Sequence, residues 1–180
     1  MTQALQPFRV LFVCAGNTCR SPMAAQLLRA RLGGVPGFAV ESAGILAEVG
    51  SPMTADARAA VIARVGSASP HRARQLTEQM VLSADLVLTA TRAIRADTVR
   101  SVPGAVRRTF TMREFARLAE RVPRDATPAL EGLAASVAAE RAGEPDAADD
   151  VADPIGCPAG EYERVAAVLD DVAGVIAVAL

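Results

Sequence analysis

The stretch from Arg9 to Met23, RVLFVCAGNTCRSPM, constrains this chain more than any other part of it. Val10, Leu11, Phe12 and Val13 form a continuous apolar run, too short for a helix and rich in β-preferring residues, which predicts a strand buried on both faces. Helix signals follow within a few residues. Ser21 is a good N-cap, Pro22 suits a first helical position, and the residues from Met23 to Leu28 all favour helix. Between strand and helix lies Cys14-Ala15-Gly16-Asn17-Thr18-Cys19-Arg20, a loop with a thiol at its first position and a guanidinium at its last.

A loop that climbs from a strand end into a helix N-terminus presents its backbone N–H groups as an anion-binding nest, and the helix dipole adds positive potential. Gly16 can supply the positive φ such a nest requires, and Asn17 tolerates it. Arg20 adds a planar fork suited to two oxygens of a phosphate. Cys14 then stands at the floor of an electropositive bowl, where its thiolate is available as a nucleophile. Taken alone, a cysteine ending a buried strand also reads as a small apolar filler. The strand before it, the Gly and Asn within the loop and the Ser-Pro pair after it favour the chemical reading.

Along the rest of the chain, strand and helix patterns alternate. The first helix is expected to end near Gly33-Gly34, followed by a strand over Phe38–Ser42 and a helix over Thr54–Val65 stopped by Gly66. Thr77–Ser83 reads as helix, Asp85–Thr89 as a buried strand, Ala93–Val99 as a short helix, Arg107–Thr111 as the fourth strand and Met112–Glu120 as a helix. This order predicts a single α/β domain over residues 1–180, with a four-stranded parallel sheet, helices on both faces and the phosphate loop after strand 1. Organisation loosens over about 122–150, read as a loop or helical insertion: Thr127–Arg141 can form a helix, and the acidic run Glu144–Asp150 reads as a solvated loop. The last helix is expected over Glu161–Ala177, with Tyr162, Val165, Val168, Leu169, Val172 and Ile176 on one face.

Composition narrows the function classes. A net charge of −1 gives no reason to invoke nucleic acid or an anionic membrane, and the arginine-rich, lysine-free usage reads as a genomic bias. The cysteines, Cys14, Cys19 and Cys157, form no secretory framework, the first residues lack the pattern of a signal peptide and no membrane span is expected, so a cytoplasmic location fits best. His71 is the only histidine, and no cluster of histidines and carboxylates has metal-ligand spacing, so neither a metal nor a cofactor is expected. Asp153-Pro154 taken alone is a common surface turn, yet Pro154 holds Asp153 extended, a way to keep a carboxyl over a cleft.

The string VLFVCAGNTCRSPMAA closely resembles the opening loop of the low-molecular-weight protein tyrosine phosphatase family. Ser42-Ala43-Gly44, the segment Pro70 to Leu76 and Asp153-Pro154 resemble three further family segments in the same order. The resemblance implies a phosphoprotein phosphatase acting on phosphorylated protein substrates through a phosphocysteine intermediate. Cys14 would be the nucleophile, Ala15 to Arg20 the phosphate cradle and Asp153 the general acid. Ser21, Ser42 and His71 would be supports, Ser42 and His71 acting on Asn17; without the resemblance, Ser42 reads as a turn residue and His71 as a half-buried polar one. Thr18 stands where many members carry Ile or Leu, and the protein-arginine phosphatase branch carries threonine there, which leans the substrate from phosphotyrosine toward phosphoarginine. Ile155 replaces the aromatic residue that usually follows Asp-Pro, which removes a flat wall from the cleft. Cys19 and Cys157 are the candidate redox partners of Cys14. A thiol-dependent arsenate reductase, a non-catalytic phosphate-binding module and a phosphotransferase component are the alternatives from other classes.

Overall fold

The computed structural model describes residues 6–123, 130–142 and 146–180. Strand β1 (Phe8–Cys14) is hydrogen-bonded on both sides, to β2 (Phe38–Gly44) and to β3 (Leu86–Thr89), and β4 (Thr109–Thr111) completes a four-stranded parallel sheet in the order β2-β1-β3-β4. Val10 pairs with Val40 on one side and Leu86 on the other, and Leu88 pairs with Phe110. That position explains the unbroken apolar run: residues 10–14 are all buried because both edges and both faces of β1 are covered.

The connection from β1 to β2 is helix α1 (Arg20–Leu32), and the connection from β3 to β4 contains α4 (Arg92–Ser101). The two crossovers step along the sheet in opposite directions. Because parallel crossovers are right-handed, they place α1 and α4 on opposite faces, and the sheet is sandwiched as the order of elements predicts. Helix α7 (Ala159–Ala179) packs along α1, and α2 (Ala55–Val65) and α5 (Met112–Ala119) lean on α7. Buried in that layer, α1 hides every residue from Arg20 to Leu28. Helices α3 (Glu78–Ser83) and α6 (Leu130–Ala139) are the other two among the described residues. No helix among the described residues is long and apolar enough to cross a membrane.

Several sequence expectations are corrected. Helix α1 begins at Arg20, its N-cap is Cys19 with no side-chain cap, and Ser21 lies inside the first turn, because the Ser21 hydroxyl is drawn into tertiary contacts. Arg107 and Arg108 belong to a 3-10 turn, Pro103–Arg108, so only Thr109–Thr111 is strand. The expected helix Thr127–Arg141 is seen as Leu130–Ala139, its first residues lying outside the described ones. The described end of the acidic run, 146–150, is not a solvated loop: Ala147–Asp149 forms a 3-10 turn and Asp149 is buried.

Local capping fixes the edge of the sheet. Thr111 ends β4 and caps α5 in a capping box, its hydroxyl accepting from Glu114 N at 3.1 Å and Glu114 Oε2 accepting from Thr111 N at 3.0 Å. Arg141 lies 4.0 Å over the Phe110 ring and donates to Glu114 and to the Thr109 carbonyl, tying the chain after α6 to β4. Thr111→Ala removes an N-cap acceptor at a buried position and is expected to lower unfolding stability by about 1–2 kcal/mol. Urea denaturation checks this, and an unchanged midpoint would show that the box does not hold α5.

Candidate active site

Where strand order reverses, between β1 and β3, the chains leaving the two strands diverge and open a crevice at their carboxyl ends. Cys14 is the last residue of β1 and lies at that point, 2% exposed. The loop after it curls into α1. Asn17 takes the left-handed conformation, φ 56°, and Gly16 does not, which corrects the expectation that Gly16 supplies it. A non-glycine residue there costs backbone energy that local hydrogen bonds must offset.

Asn17 has those bonds. Fully buried, its Nδ2 donates to Ser21 Oγ at 2.9 Å and to Ser42 Oγ at 3.0 Å, and its Oδ1 accepts from Arg74 N at 2.9 Å. Its carbonyl accepts from His71 Nε2 at 2.6 Å. A carbonyl only accepts, so Nε2 carries the hydrogen; burial, with Arg29 and Arg74 nearby, holds the His71 pKa below the ordinary imidazole value. Ser42 and His71 thus both bond Asn17.

The Cys14 sulfur is within hydrogen-bond reach of Asn17 N at 3.3 Å and Ser21 Oγ at 2.9 Å. Ser21 Oγ accepts from Asn17 and has one hydrogen to give, with Cys14 Sγ at 2.9 Å and Ala43 O at 3.3 Å as acceptors. The sulfur is the nearer, although it is the larger atom. At the far end of the loop, Arg20 donates from Nη1 to Val151 O at 3.3 Å and pairs through Nη2 with Asp153. Its buried Nε has no partner among the described residues. The other Asp153 oxygen accepts from Ile155 N at 3.3 Å, and the Ile155 side chain is half exposed at the mouth.

Asp153 reaches the crevice because the segment before it is strapped down. Val151 N donates to Ala90 O, just past β3, at 2.8 Å. Asp150 takes the Arg92 backbone N–H at 2.7 Å and its guanidinium at 3.2 Å, and buried Asp149 accepts from Arg117 at 2.7 Å and 3.2 Å. Sequence reasoning missed these anchors, since an acidic run carries no sign of arginines paired from other elements. It also missed two backbone clamps: Thr54 N donates to Thr18 O at 2.9 Å, and Leu46 N to Ala15 O at 3.0 Å. Cys19 is buried beside Cys14, where burial first and the Cys14 and Asp153 charges second push its pKa up to about 12, and Cys157 is exposed on the turn after Asp153.

Fold and site together define an α/β protein with a cysteine-headed loop between its central strand and the helix that follows. The family model "Low molecular weight phosphotyrosine protein phosphatase" matches residues 9–132. A protein-arginine-phosphatase of Geobacillus stearothermophilus is 41% identical over 109 residues, covering 61% of this chain and 72% of that relative. Among solved structures, the YwlE arginine phosphatase from the same organism overlays with a TM-score of 0.73 at 32% identity, over 95% of this chain and 91% of the other. A low molecular weight protein tyrosine phosphatase from T. tengcongensis gives 0.74 at 30% identity, over 96% and 99%. The chain belongs to the low molecular weight phosphotyrosine protein phosphatase family.

One glycine is required by sterics. A Cβ on Gly44 would stand 2.3 Å from Ala15 O and 2.9 Å from Asn17 N, both backbone atoms of the loop. Gly44→Ala is therefore expected to push the loop out of shape and weaken inorganic phosphate binding at least tenfold, with a stability loss of about 1–3 kcal/mol. Calorimetric titration with phosphate checks this, and unchanged affinity would show that the loop yields without harm.

Proposed function

We propose that this chain, a protein phosphatase by family, dephosphorylates proteins through a phosphocysteine at Cys14, with phosphoarginine as the preferred phosphoresidue and phosphotyrosine as the second. The observation that carries the reading is the convergence on one crevice of the Cys14 sulfur, the Arg20 fork and the Asp153 carboxyl, from β1, α1 and a segment about 130 residues further on.

In the first step the Cys14 thiolate attacks phosphorus in line. The S–P bond forms as the P–N bond of phosphoarginine, or the P–O bond of phosphotyrosine, breaks. Loop N–H groups and the guanidinium of Arg20, including its unpartnered Nε–H, receive the equatorial oxygens. Asp153, protonated, gives its proton to the departing nitrogen or oxygen. In the second step the Asp153 carboxylate takes a proton from water, the water oxygen attacks phosphorus and Cys14 leaves as thiolate. The Ser21 hydroxyl, 2.9 Å from the sulfur, donates to the departing thiolate.

Thr18 supports the phosphoarginine preference. It gives the lip of the nest a hydroxyl in place of an aliphatic chain, a surface that suits a guanidinium better than an aromatic ring. The likeness to protein-arginine phosphatases points the same way, and aliphatic Ile155 offers neither substrate a flat wall.

Phosphate release from phosphoarginine and phosphotyrosine peptides tests the preference. The wild type is expected to hydrolyse phosphoarginine at least as well as phosphotyrosine, and Thr18→Ile to move the ratio toward phosphotyrosine by about ten- to two-hundred-fold. Good phosphotyrosine hydrolysis, no phosphoarginine hydrolysis and a ratio unmoved by Thr18→Ile would make tyrosine dephosphorylation the correct assignment. Asp153→Asn is expected to slow a phosphate ester of a poor leaving group by about 100-fold or more and one of a good leaving group far less. Equal losses on both would show that Asp153 is a structural turn residue.

A further inference from the structure

A cavity of about 320 Å³ opens beside the phosphate loop, with Met53, Arg58, Pro70, His71 and Arg72 in its lining. No loop residue lines it, but two hydrogen bonds tie its surroundings to the loop. His71 bonds the Asn17 carbonyl, and Thr54, next to Met53, bonds the Thr18 carbonyl through its backbone N–H. With His71 Nε2 turned to Asn17, Nδ1 is the ring nitrogen that the loop does not occupy.

Two guanidiniums line this cavity, those of Arg58 and Arg72. Most described arginines stand within 4.0 Å of a carboxylate, including Arg9, Arg31, Arg64, Arg74 and Arg164 on the surface. Exposed Arg58 and Arg72 have no such partner among the described residues, and both line this one cavity. Arg72 is held at its edge by a hydrogen bond from Nη1 to Gly50 O at 3.1 Å, which leaves the remaining guanidinium donors unused. Arg58 is fixed by helix α2, one turn beyond the cap Thr54. The cavity thus combines an apolar floor at Met53 and Pro70 with two guanidiniums that the protein leaves uncompensated.

We propose that this cavity is a subsite for an acidic side chain of the protein substrate, an Asp or Glu a few residues along the chain from the phosphorylated residue. The proposal rests on the phosphatase reading and makes Arg58 and Arg72 specificity-determining residues. A phosphoryl group seated in the nest brings its own polypeptide to the lip at Thr18, and extended chain advances about 3.3 Å per residue, so neighbouring side chains sweep the adjoining wall. A carboxylate there meets the two guanidiniums, while its methylene stem lies on the apolar floor.

The test compares kcat/KM on phosphopeptides carrying Asp or Glu beside the phosphoresidue with the same peptides carrying Asn or Gln. Wild type is expected to favour the acidic peptides by about three- to fivefold, with the preference shrinking as salt rises. The double variant Arg58→Gln, Arg72→Gln is expected to lose the preference while hydrolysing para-nitrophenyl phosphate as before, and Arg58→Glu is expected to prefer Lys-flanked peptides. Equal rates on acidic and neutral peptides in the wild type, or a preference that survives the double variant, would overturn the proposal. Absence of turnover on every substrate, para-nitrophenyl phosphate included, would instead sink the phosphatase reading. In that event the sole imidazole decides the subsite: the His71 NMR signals of Cys14→Ser protein shift with acidic peptide and not with its neutral counterpart if the cavity binds a carboxylate, and respond alike to both if it does not.

Discussion

The structure depends on one residue held against its backbone preference. Asn17 sits in the left-handed region, buried, with its amide, its side-chain oxygen and its carbonyl all committed to partners. Those partners come from α1, from β2 and from the segment that leads to α3. The loop is therefore shaped by the surrounding layers and is not a free turn. Its shape is held by the protein's own contacts, and dipoles fixed in that way are the ones that stabilise charge most effectively. Ser21 links this frame to the sulfur, since the same hydroxyl receives Asn17 and faces Cys14.

Topology supplies the second half. Only at the reversal of strand order can a residue at the end of β1 meet a segment resting on the chain after β3. Val151 makes that contact at Ala90, and the carboxylates of Asp149 and Asp150 hold the segment from behind. Asp153 follows two residues later. Its place beside Arg20 is thus inherited from contacts spread over β3, α4 and α5.

Much of this was legible in the chain itself, and the failures have a common cause. The strand, the cysteine loop and the following helix were readable because their signals are local: a buried run, turn-tolerant residues and helix formers in sequence. Ser42 and His71 came only through the family resemblance, because nothing near them in sequence announces a partner at Asn17. Ser21 shows a local rule overridden: it has the chemistry of an N-cap, but a hydroxyl placed between Asn17 and Cys14 satisfies more buried groups than a cap would. The acidic run failed in the same way, since Arg92 and Arg117 lie 58 and 32 residues from the carboxylates they bind. Gly44 was visible only as part of a motif, and its steric necessity depends on a carbonyl from another strand's loop.

The pairing of Arg20 with Asp153 and the Val151 carbonyl has a consequence for how any anion enters. A dianion that takes both arms of the guanidinium must first displace a carboxylate already seated there. Entry is an exchange of counterions and not the filling of a bare positive hole. Stray chloride or sulfate would compete against a tethered carboxylate whose local concentration never falls, so on the proposed function the resting loop is guarded by the same aspartate that a phosphoryl group would set free.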